Sequence, residues 1–508
     1  MNPRIRWVGA IVVVCFVVLF IQLNNIQIRQ APSLVKNPLL HSVPQSQSLW
    51  REPRGEIITA DGVVVAKSVP APKSYWKWQR VYPAATAEAF APITGYYDVV
   101  AAADPYGIEG SYDAKLSQHE TTGLLNQQKE TDTVQLTISA KLQIAAYDAL
   151  KAANQPGSAM VVLDPRTGAI LAMAEYPSFD PNLLASHSPK IADAAYKAIV
   201  SQPFNSRPLP NLATFNRLAP GSTFKVITTS AIFDHMPSIA SQIFPSVGSW
   251  KFPNSGNPPQ SIHNYGGEVC GGDLAQILLK SCDTSFSQVG VELGATNLAL
   301  EARSFGFDSR PPIDLPSYEV TPSYFPSPSQ IGATPFEGYS AIGQLDDAAT
   351  PLQMAMVAAA IANHGKMMRP YLVWRAVGSD GTADYQAHPQ VWRQATSLTT
   401  ARNVRKLMVG VTQNPSGTAY GVFQAYGQGM PTMAAKTGTA EPQKNVCGTY
   451  NWLISFGPAG SGERPSVAAA AVVPIPSNST SCSTNPTGAS VAGPVLIPVL
   501  RVALGLAP

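Results

Sequence analysis

A chain of 508 residues with 13% charged residues and a formal net charge of +3 is too nearly neutral to be built for nucleic acid, while 45% hydrophobic residues suffice for a large core. Its histidines and cysteines form neither a His-x-x-x-His nor a Cys-x-x-Cys pattern, so composition points away from a metal site. The length suggests about two to four domains.

Residues 7–23 are almost wholly apolar, at the short end of what a membrane-spanning helix needs. Arg4 and Arg6 precede the run, which puts residues 1–6 in the cytoplasm and everything after Leu23 outside. A cleavable signal peptide is the rival. The run ends in Gln22, Leu23, Asn24 and Asn25 without a small-x-small site, so an uncleaved anchor is the reading.

Residues 24–154 read as a small, mixed, non-catalytic domain on a stalk. Apolar residues alternate from Arg54 to Ala66 around Asp61-Gly62, the pattern of a hairpin. Ser139 to Asn154 is an amphipathic helix with Ser139 as its N-cap. From residue 155 onward the character changes. Ala159 to Met173 predicts paired strands around a turn, and Pro177 to Pro220 a polar, proline-punctuated connection. Helices are predicted after Ser222 and over Leu274–Leu279, Thr284–Phe305, Thr350–His364 and Thr399–Gln413. Strands follow at Ala434–Glu441, Trp452–Gly457 and Val467–Val473. The apolar run Val491 to Leu506 holds Pro494, Pro498 and Arg501, and reads as a buried helix against a sheet. Strands at both ends with helices between them give an α+β domain over residues 155–508, its sheet closed by early and late strands.

Cys15 falls in the anchor, leaving Cys270, Cys282, Cys447 and Cys482. If the domain is exported, pairs such as Cys270–Cys282 and Cys447–Cys482 follow; otherwise these are free, partly buried thiols.

The chemistry centres on Pro220-Gly221-Ser222-Thr223-Phe224-Lys225. A Pro-Gly turn runs into an apolar helical stretch, so Lys225 lies one turn beyond Ser222 on the same face. A buried amine whose pKa drops from about 10.4 towards neutrality can take the hydroxyl proton and activate the serine without histidine. Ser-x-x-Lys also occurs at Ser33 and Ser74, without the preceding turn or a long apolar helix behind it. Lys436-Thr437-Gly438-Thr439 lies in a strand-like segment, where an ammonium and hydroxyls beside a glycine can hold a carboxylate. A proton relay between these pieces could come from Ser255-Gly256-Asn257 or from Ser281-Cys282-Asp283. The former is flanked by prolines, as in a surface loop. The latter sits at a helix–helix junction, so Ser281 is the choice.

Ser-x-x-Lys, a Ser-x-Asn-like triplet and Lys-Thr-Gly together resemble the penicillin-binding protein and serine β-lactamase superfamily. The chain resembles a class B penicillin-binding protein over nearly its whole length, and is most similar to the actinobacterial penicillin-binding protein A type. Arg54-Gly55, Asp61-Gly62, Gly107-Ile108-Glu109, Leu163 to Met173, Gly343, Thr350-Pro351-Leu352-Gln353 and Lys436 to Glu441 carry the likeness beside the Ser222 motif. It implies an antiparallel sheet flanked by helices with an all-helical subdomain, preceded by a mixed pedestal domain and one transmembrane helix. It implies a peptidoglycan D,D-transpeptidase that is acylated by β-lactams and requires no metal or cofactor. Ser222 would be the nucleophile, Lys225 the base and Ser281 the relay. Asp283, Lys436, Thr437, Gly438 and Thr439 would bind substrate, and the backbone N–H groups of Ser222 and Thr439 would form the oxyanion hole. The expected partners are stem peptides, β-lactams, the cytoplasmic membrane and a multi-span membrane glycan polymerase, since residues 24–154 carry no second catalytic set. A weakened scaffold protein and a D,D-carboxypeptidase are the alternatives. One departure stands out: Asp283 occupies a position where the family usually has Asn. A carboxylate only accepts hydrogen bonds, and close to Lys225 it would raise that amine's pKa.

Overall fold

The computed structural model describes residues 52–98, 106–117, 119–120, 129–256, 260–332, 334–441, 448–476 and 486–507, with Trp7, residues 13–20, Gln22 and Asn25. Seven of the seventeen residues of the predicted anchor, 8–12, 21 and 23, lie outside the described residues; residues 13–20 are helical and their apolar side chains are exposed. Among the described residues no helix is long and apolar enough to cross a membrane.

In chain order the elements used below are strands β1 (Ile57–Ile58), β2 (Val64–Ala71), β3 (Lys77–Val81) and β4 (Thr133–Leu136), then helix α1 (Ala140–Ala153). Strands β5 (Ser158–Leu163) and β6 (Ile170–Tyr176) come next, followed by helices α2 (Lys225–His235), α3 (Leu274–Leu279), α4 (Asp283–Ser304) and α5 (Pro351–Ala362). Then come β7 (Val373–Val377), β8 (Ala383–Gln386), α6 (Leu398–Gln413), β9 (Ala434–Ala440), β10 (Gly448–Gly457), β11 (Val467–Pro476) and α7 (Gly488–Ala503).

The larger core is a five-stranded antiparallel sheet in the order β9-β10-β11-β5-β6. Its first hairpin and its last three strands come from opposite ends of the segment, as their apolar patterning predicts. Helices α1 and α7 cover one part of it and α5 packs on β5, β10 and β11. Burial on both faces explains why β11 shows no polar alternation: Ala468 to Ala471 are all fully buried. These small side chains meet an α5 that is itself alanine-rich and buried all round, which lets helix and strand approach closely. The C-terminal run is the predicted buried helix, α7.

The second sheet has the order β8-β7-β4-β1-β2-β3. β1 pairs parallel with β4, and β7 and β8 arrive from the far side of α5 to complete it. Beneath this sheet, Arg54 and Arg80 donate to the two oxygens of Glu109, at 2.9 and 2.5 Å, and Tyr82 Oη donates to Glu109 at 3.1 Å. Burial opposes a charged Glu109, but Arg80 and Arg54 outweigh it and hold its carboxyl below the ordinary range. The seam to the larger core is built from acids that accept backbone N–H groups. Glu319 accepts from Gly107 at 2.7 Å, and Asp314 accepts from Leu372 and Val373 at 2.6 and 2.9 Å and from Tyr112 Oη at 3.2 Å.

Local expectations change in three places. Ser139 occupies the N-cap of α1, but its side chain makes no capping bond; Asp61 from the hairpin turn accepts from Ala140 N–H and from Ser139 Oγ instead. A carboxylate is the stronger acceptor at a helix N-terminus, and the turn brings one there. The predicted connection 177–220 contains a helix, Pro189–Val200, started by Ser188-Pro189 and buried through Ala192 and Ile199. Ser222 does not open an α-helix: Gly221–Phe224 is a 3-10 turn, and α2 begins at Lys225. Cys270 and Cys282 form a disulfide, with Cα atoms 5.6 Å apart. Cys447 and Cys482 lie outside the described residues.

Candidate active site

The turn that carries Ser222 is wedged between two other backbones. Gly221 has φ +53°, which favours glycine, and its N–H donates to Gly343 O at 2.9 Å. A Cβ on Gly221 would sit 2.8 Å from Thr439 O. From the other side, a Cβ on Gly438 would sit 2.8 Å from Pro220 O and 2.9 Å from Thr223 Cγ2. The strand therefore lies against the turn, and only glycine at both positions permits that approach. β9 is also the edge strand of its sheet, so one row of its backbone groups is left without a ladder partner. Ser222 itself is half-buried at this junction.

Lys225, the first residue of α2, is fully buried. Its Nζ donates to Asp283 Oδ1 at 2.7 Å, to Ser281 O at 2.7 Å and to Ser281 Oγ at 3.2 Å. Lys436, equally buried, donates to the same Ser281 Oγ at 2.8 Å and to Thr437 O at 3.0 Å. The Ser281 hydroxyl thus stands between the two amines. Lys436 is directed at that hydroxyl rather than out along the strand.

Burial is the leading influence on both lysines. It lowers the Lys225 pKa; the Asp283 carboxylate pushes back but does not cancel it, so the amine ends below its ordinary value. Lys436 is driven well below, first by burial and then by the charge of Lys225, with Asp283 partly offsetting both. One carboxylate cannot compensate two buried ammonium groups, so the arrangement favours one charged and one neutral amine.

Ser281 and Asp283 come from the α3–α4 junction. Ser281 adopts φ +61°, an uncommon conformation for a residue with a side chain, and it is over-determined by its surroundings. Cys282, between the two functional residues, is tied to Cys270, and Thr284 donates through N–H and Oγ1 to Asn264 Oδ1 at 2.9 and 3.1 Å. These ties fix the junction to the hairpins of residues 244–272. The alternative relay, Ser255, is spent elsewhere: its hydroxyl donates to Phe252 O and accepts from Gln260 N–H.

Two contributors carry no sequence signal of their own. Thr437 Oγ1 donates to Thr418 Oγ1 at 2.8 Å, and Thr418 N–H donates to Leu279 O at 3.2 Å, so Thr418 joins β9 to the Ser281 junction. Thr439 Oγ1 accepts from Gly488 N–H at 3.0 Å, which leaves its proton free to donate. Gly488 opens α7, and a Cβ there would lie 2.3 Å from Gly438 O. The positive end of α7 therefore backs the strand.

The chain is similar to known proteins over nearly its whole length. Residues 158–500 match the penicillin binding protein transpeptidase domain, and residues 54–135 the penicillin binding protein A dimerisation domain. Peptidoglycan D,D-transpeptidase PbpA of Mycobacterium tuberculosis is 34% identical, over 99% of each chain. The protein of that name from Mycolicibacterium smegmatis is 33% identical, over 97% of each. The solved penicillin G acyl-enzyme complex of penicillin-binding protein A from M. tuberculosis superposes with a TM-score of 0.76 at 32% identity, covering 89% of this chain and all of that one.

Proposed function

The chain belongs to the penicillin-binding protein transpeptidase family, and we propose that it is a peptidoglycan D,D-transpeptidase acting through an acyl-enzyme on Ser222. The observation that carries this reading is the Ser281 hydroxyl held between Lys225 Nζ and Lys436 Nζ, with Lys225 three residues after Ser222 in the chain.

In the first half-reaction Ser222 Oγ attacks the carbonyl of the penultimate D-alanine of a stem peptide. Lys225, made neutral by passing a proton through Ser281 Oγ to Lys436, takes the hydroxyl proton. Its contact with Ser281 Oγ, the longest of the three around Nζ, then passes a proton through Ser281 to the leaving amine of the terminal D-alanine. The new C–O bond replaces the broken C–N bond, and the terminal residue departs as a neutral amine. An amino group of a second stem peptide reverses the sequence: it attacks the ester, loses its proton to the same lysine, and returns Ser222 to its hydroxyl. Backbone N–H groups of Ser222 and Thr439 stabilise the oxyanion, because the turn and the strand that carry them lie against each other. Thr439 donates to the terminal carboxylate along the edge strand beside Gly438, Thr437 joins it by turning its proton from Thr418 to the ligand, and the charge shared by Lys225 and Lys436 lies behind them. Penicillins acylate Ser222 by the first half-reaction alone.

The cell-level setting belongs to the same proposal. Residues 7–23 anchor the protein in the cytoplasmic membrane, residues 1–6 stay in the cytoplasm, and the remainder works outside, where stem peptides are. Residues 24–154 serve as a pedestal for the transpeptidase region, residues 155–508, and a separate multi-span polymerase supplies the glycan strands. The pattern of Arg4 and Arg6 before the apolar run supports this topology.

The test is a synthetic pentapeptide ending in D-Ala-D-Ala, incubated with and without an acceptor amine. Release of D-alanine coupled to acceptor-dependent cross-linked product is expected. Release without transfer would instead identify a D,D-carboxypeptidase, and neither product would remove the enzymatic reading.

A further inference from the structure

Away from the catalytic centre, a cleft of about 870 Å³ opens between α6 and the loop that joins β10 to β11. Thr432 lines it, two residues before β9 and four before Lys436, so their backbones are at most about 14 Å apart. α6 carries Arg402, Arg405 and Lys406 and no acidic residue. Arg405 is committed to holding the fold, since its guanidinium donates to Ala459 O, Gly460 O and Glu463 O at 3.3, 2.9 and 3.0 Å and clamps the loop in place. Glu463, the acid in the lining, accepts from Gly460 N–H at 2.6 Å and so closes its own turn.

The other cations are left over. Arg402 and Lys406 lie one turn apart on one wall and Arg464 stands in the loop, all exposed. None of them forms an ion pair among the described residues. Like charges at i and i+4 repel, so folding gains nothing from this cluster. Its field is felt locally: partial burial and then the charges of Arg402, Arg405, Lys366 and Arg464 push the His364 imidazole below its ordinary value. Between the charged walls the lining turns apolar, with Val409 and Ala459.

We propose that this cleft is a docking site for an acidic peptide segment that also carries apolar side chains, supplied by a partner protein. The shape of the charge decides the class. A free phosphate would need convergent, buried donors, whereas the available cations are exposed and spread around a cleft many times its size. A purely hydrophilic polyanion would leave the apolar lining unused. Single-stranded nucleic acid needs successive aromatic stacking platforms, and the described lining offers only the His364 ring. Carboxylates at the rim with leucine-like side chains over Val409 and Ala459 use every feature present.

The experiment uses the full chain in detergent micelles and a fluorescein-labelled peptide of alternating glutamate and leucine, read by fluorescence anisotropy. Saturable binding is expected, weakened by added salt, and weakened at least tenfold by Arg402→Glu with Lys406→Glu and by Arg464→Glu. Lys197→Glu on a distant helix should leave binding unchanged, as should prior acylation with penicillin. Penicillin labelling of the cleft variants should match that of the parent chain, which separates loss of docking from loss of fold. No saturable binding at low salt, or binding that survives the charge reversals, would overturn the proposal. Equally tight binding of polyglutamate, or displacement by equimolar tripolyphosphate, would replace the peptide site by a simple anion site.

Discussion

Asp283 decides how readily Lys225 serves as a base. Its carboxylate lies 2.7 Å from the ammonium and favours the charged form, against a burial that favours the neutral one. The residue pattern alone shows only the carboxylate and so predicts a raised pKa; the balance lies the other way because Lys225 is fully enclosed. Replacing Asp283 by Asn removes the opposing influence. In Asp283→Asn the acid limb of the penicillin acylation profile should move to lower pH, by about 1–3 units. Stopped-flow acylation from pH 5 to 9 measures it; an unmoved or upward-shifted limb would mean that the carboxylate does not control the base. Thr418 is the residue that sequence reading missed, since a lone threonine in a Ser-Gly-Thr turn matches no pattern. By aligning the Thr437 hydroxyl it should affect substrate capture more than chemistry. Thr418→Val is expected to raise KM for the pentapeptide by about tenfold, the worth of one hydrogen bond to a charged group, with kcat little changed. Equal losses in both would assign it to the transition state instead.

At the scale of elements, the catalytic motifs were legible because each joins a rare residue pattern to a local structural break. Pro-Gly before Ser222 and Gly within Lys-Thr-Gly are required by the close approach of turn and edge strand, and both leave a mark in the sequence. The unusual backbone of Ser281 left none, because its support comes from Cys270 and Asn264, residues that carry no catalytic pattern. That support has a measurable consequence. Cys270→Ser, or reduction of the parent chain, should slow acylation of Ser222 by roughly 10- to 100-fold, since displacing a catalytic group by about an ångström carries such a cost. Acylation rates with and without reductant provide the comparison, and reductant should have no further effect on the variant. Full activity after reduction would show that Asn264 and the helix ends hold the junction unaided.

At the scale of the molecule, the early and late strands that close the larger sheet were readable from their patterning. The completion of the N-terminal sheet by β7 and β8 was not, because pairing between segments so distant in sequence leaves no local signal. Buried acids within the N-terminal region and at its seam to the larger core have pH responses of opposite sign. Glu109 is held below the ordinary carboxylate range, so its contribution is present above that range and disappears as pH falls through its lowered pKa. Glu319 is pushed up to about 7 by burial, so its contribution is complete only below the ordinary carboxylate range and is lost as pH rises from there through about 7. Thermal unfolding should therefore show a midpoint that drops as pH rises from the ordinary carboxylate range to about 7, and Glu319→Gln should flatten this dependence. Glu109→Gln, which strands two buried arginines, should cost about 3–5 kcal/mol by denaturant titration; a loss below 1 kcal/mol would show that the network is dispensable.

The central claim is that Ser222, served by Lys225 and Ser281, forms an acyl-enzyme. Intact-mass spectrometry of the full chain after incubation with penicillin G tests it most directly, with peptide mapping of the adduct. One adduct per chain is predicted, on the peptide containing Ser222, absent from Ser222→Ala and strongly slowed in Lys225→Ala and Ser281→Ala. An adduct on another residue, or undiminished labelling of Ser222→Ala, would contradict the account.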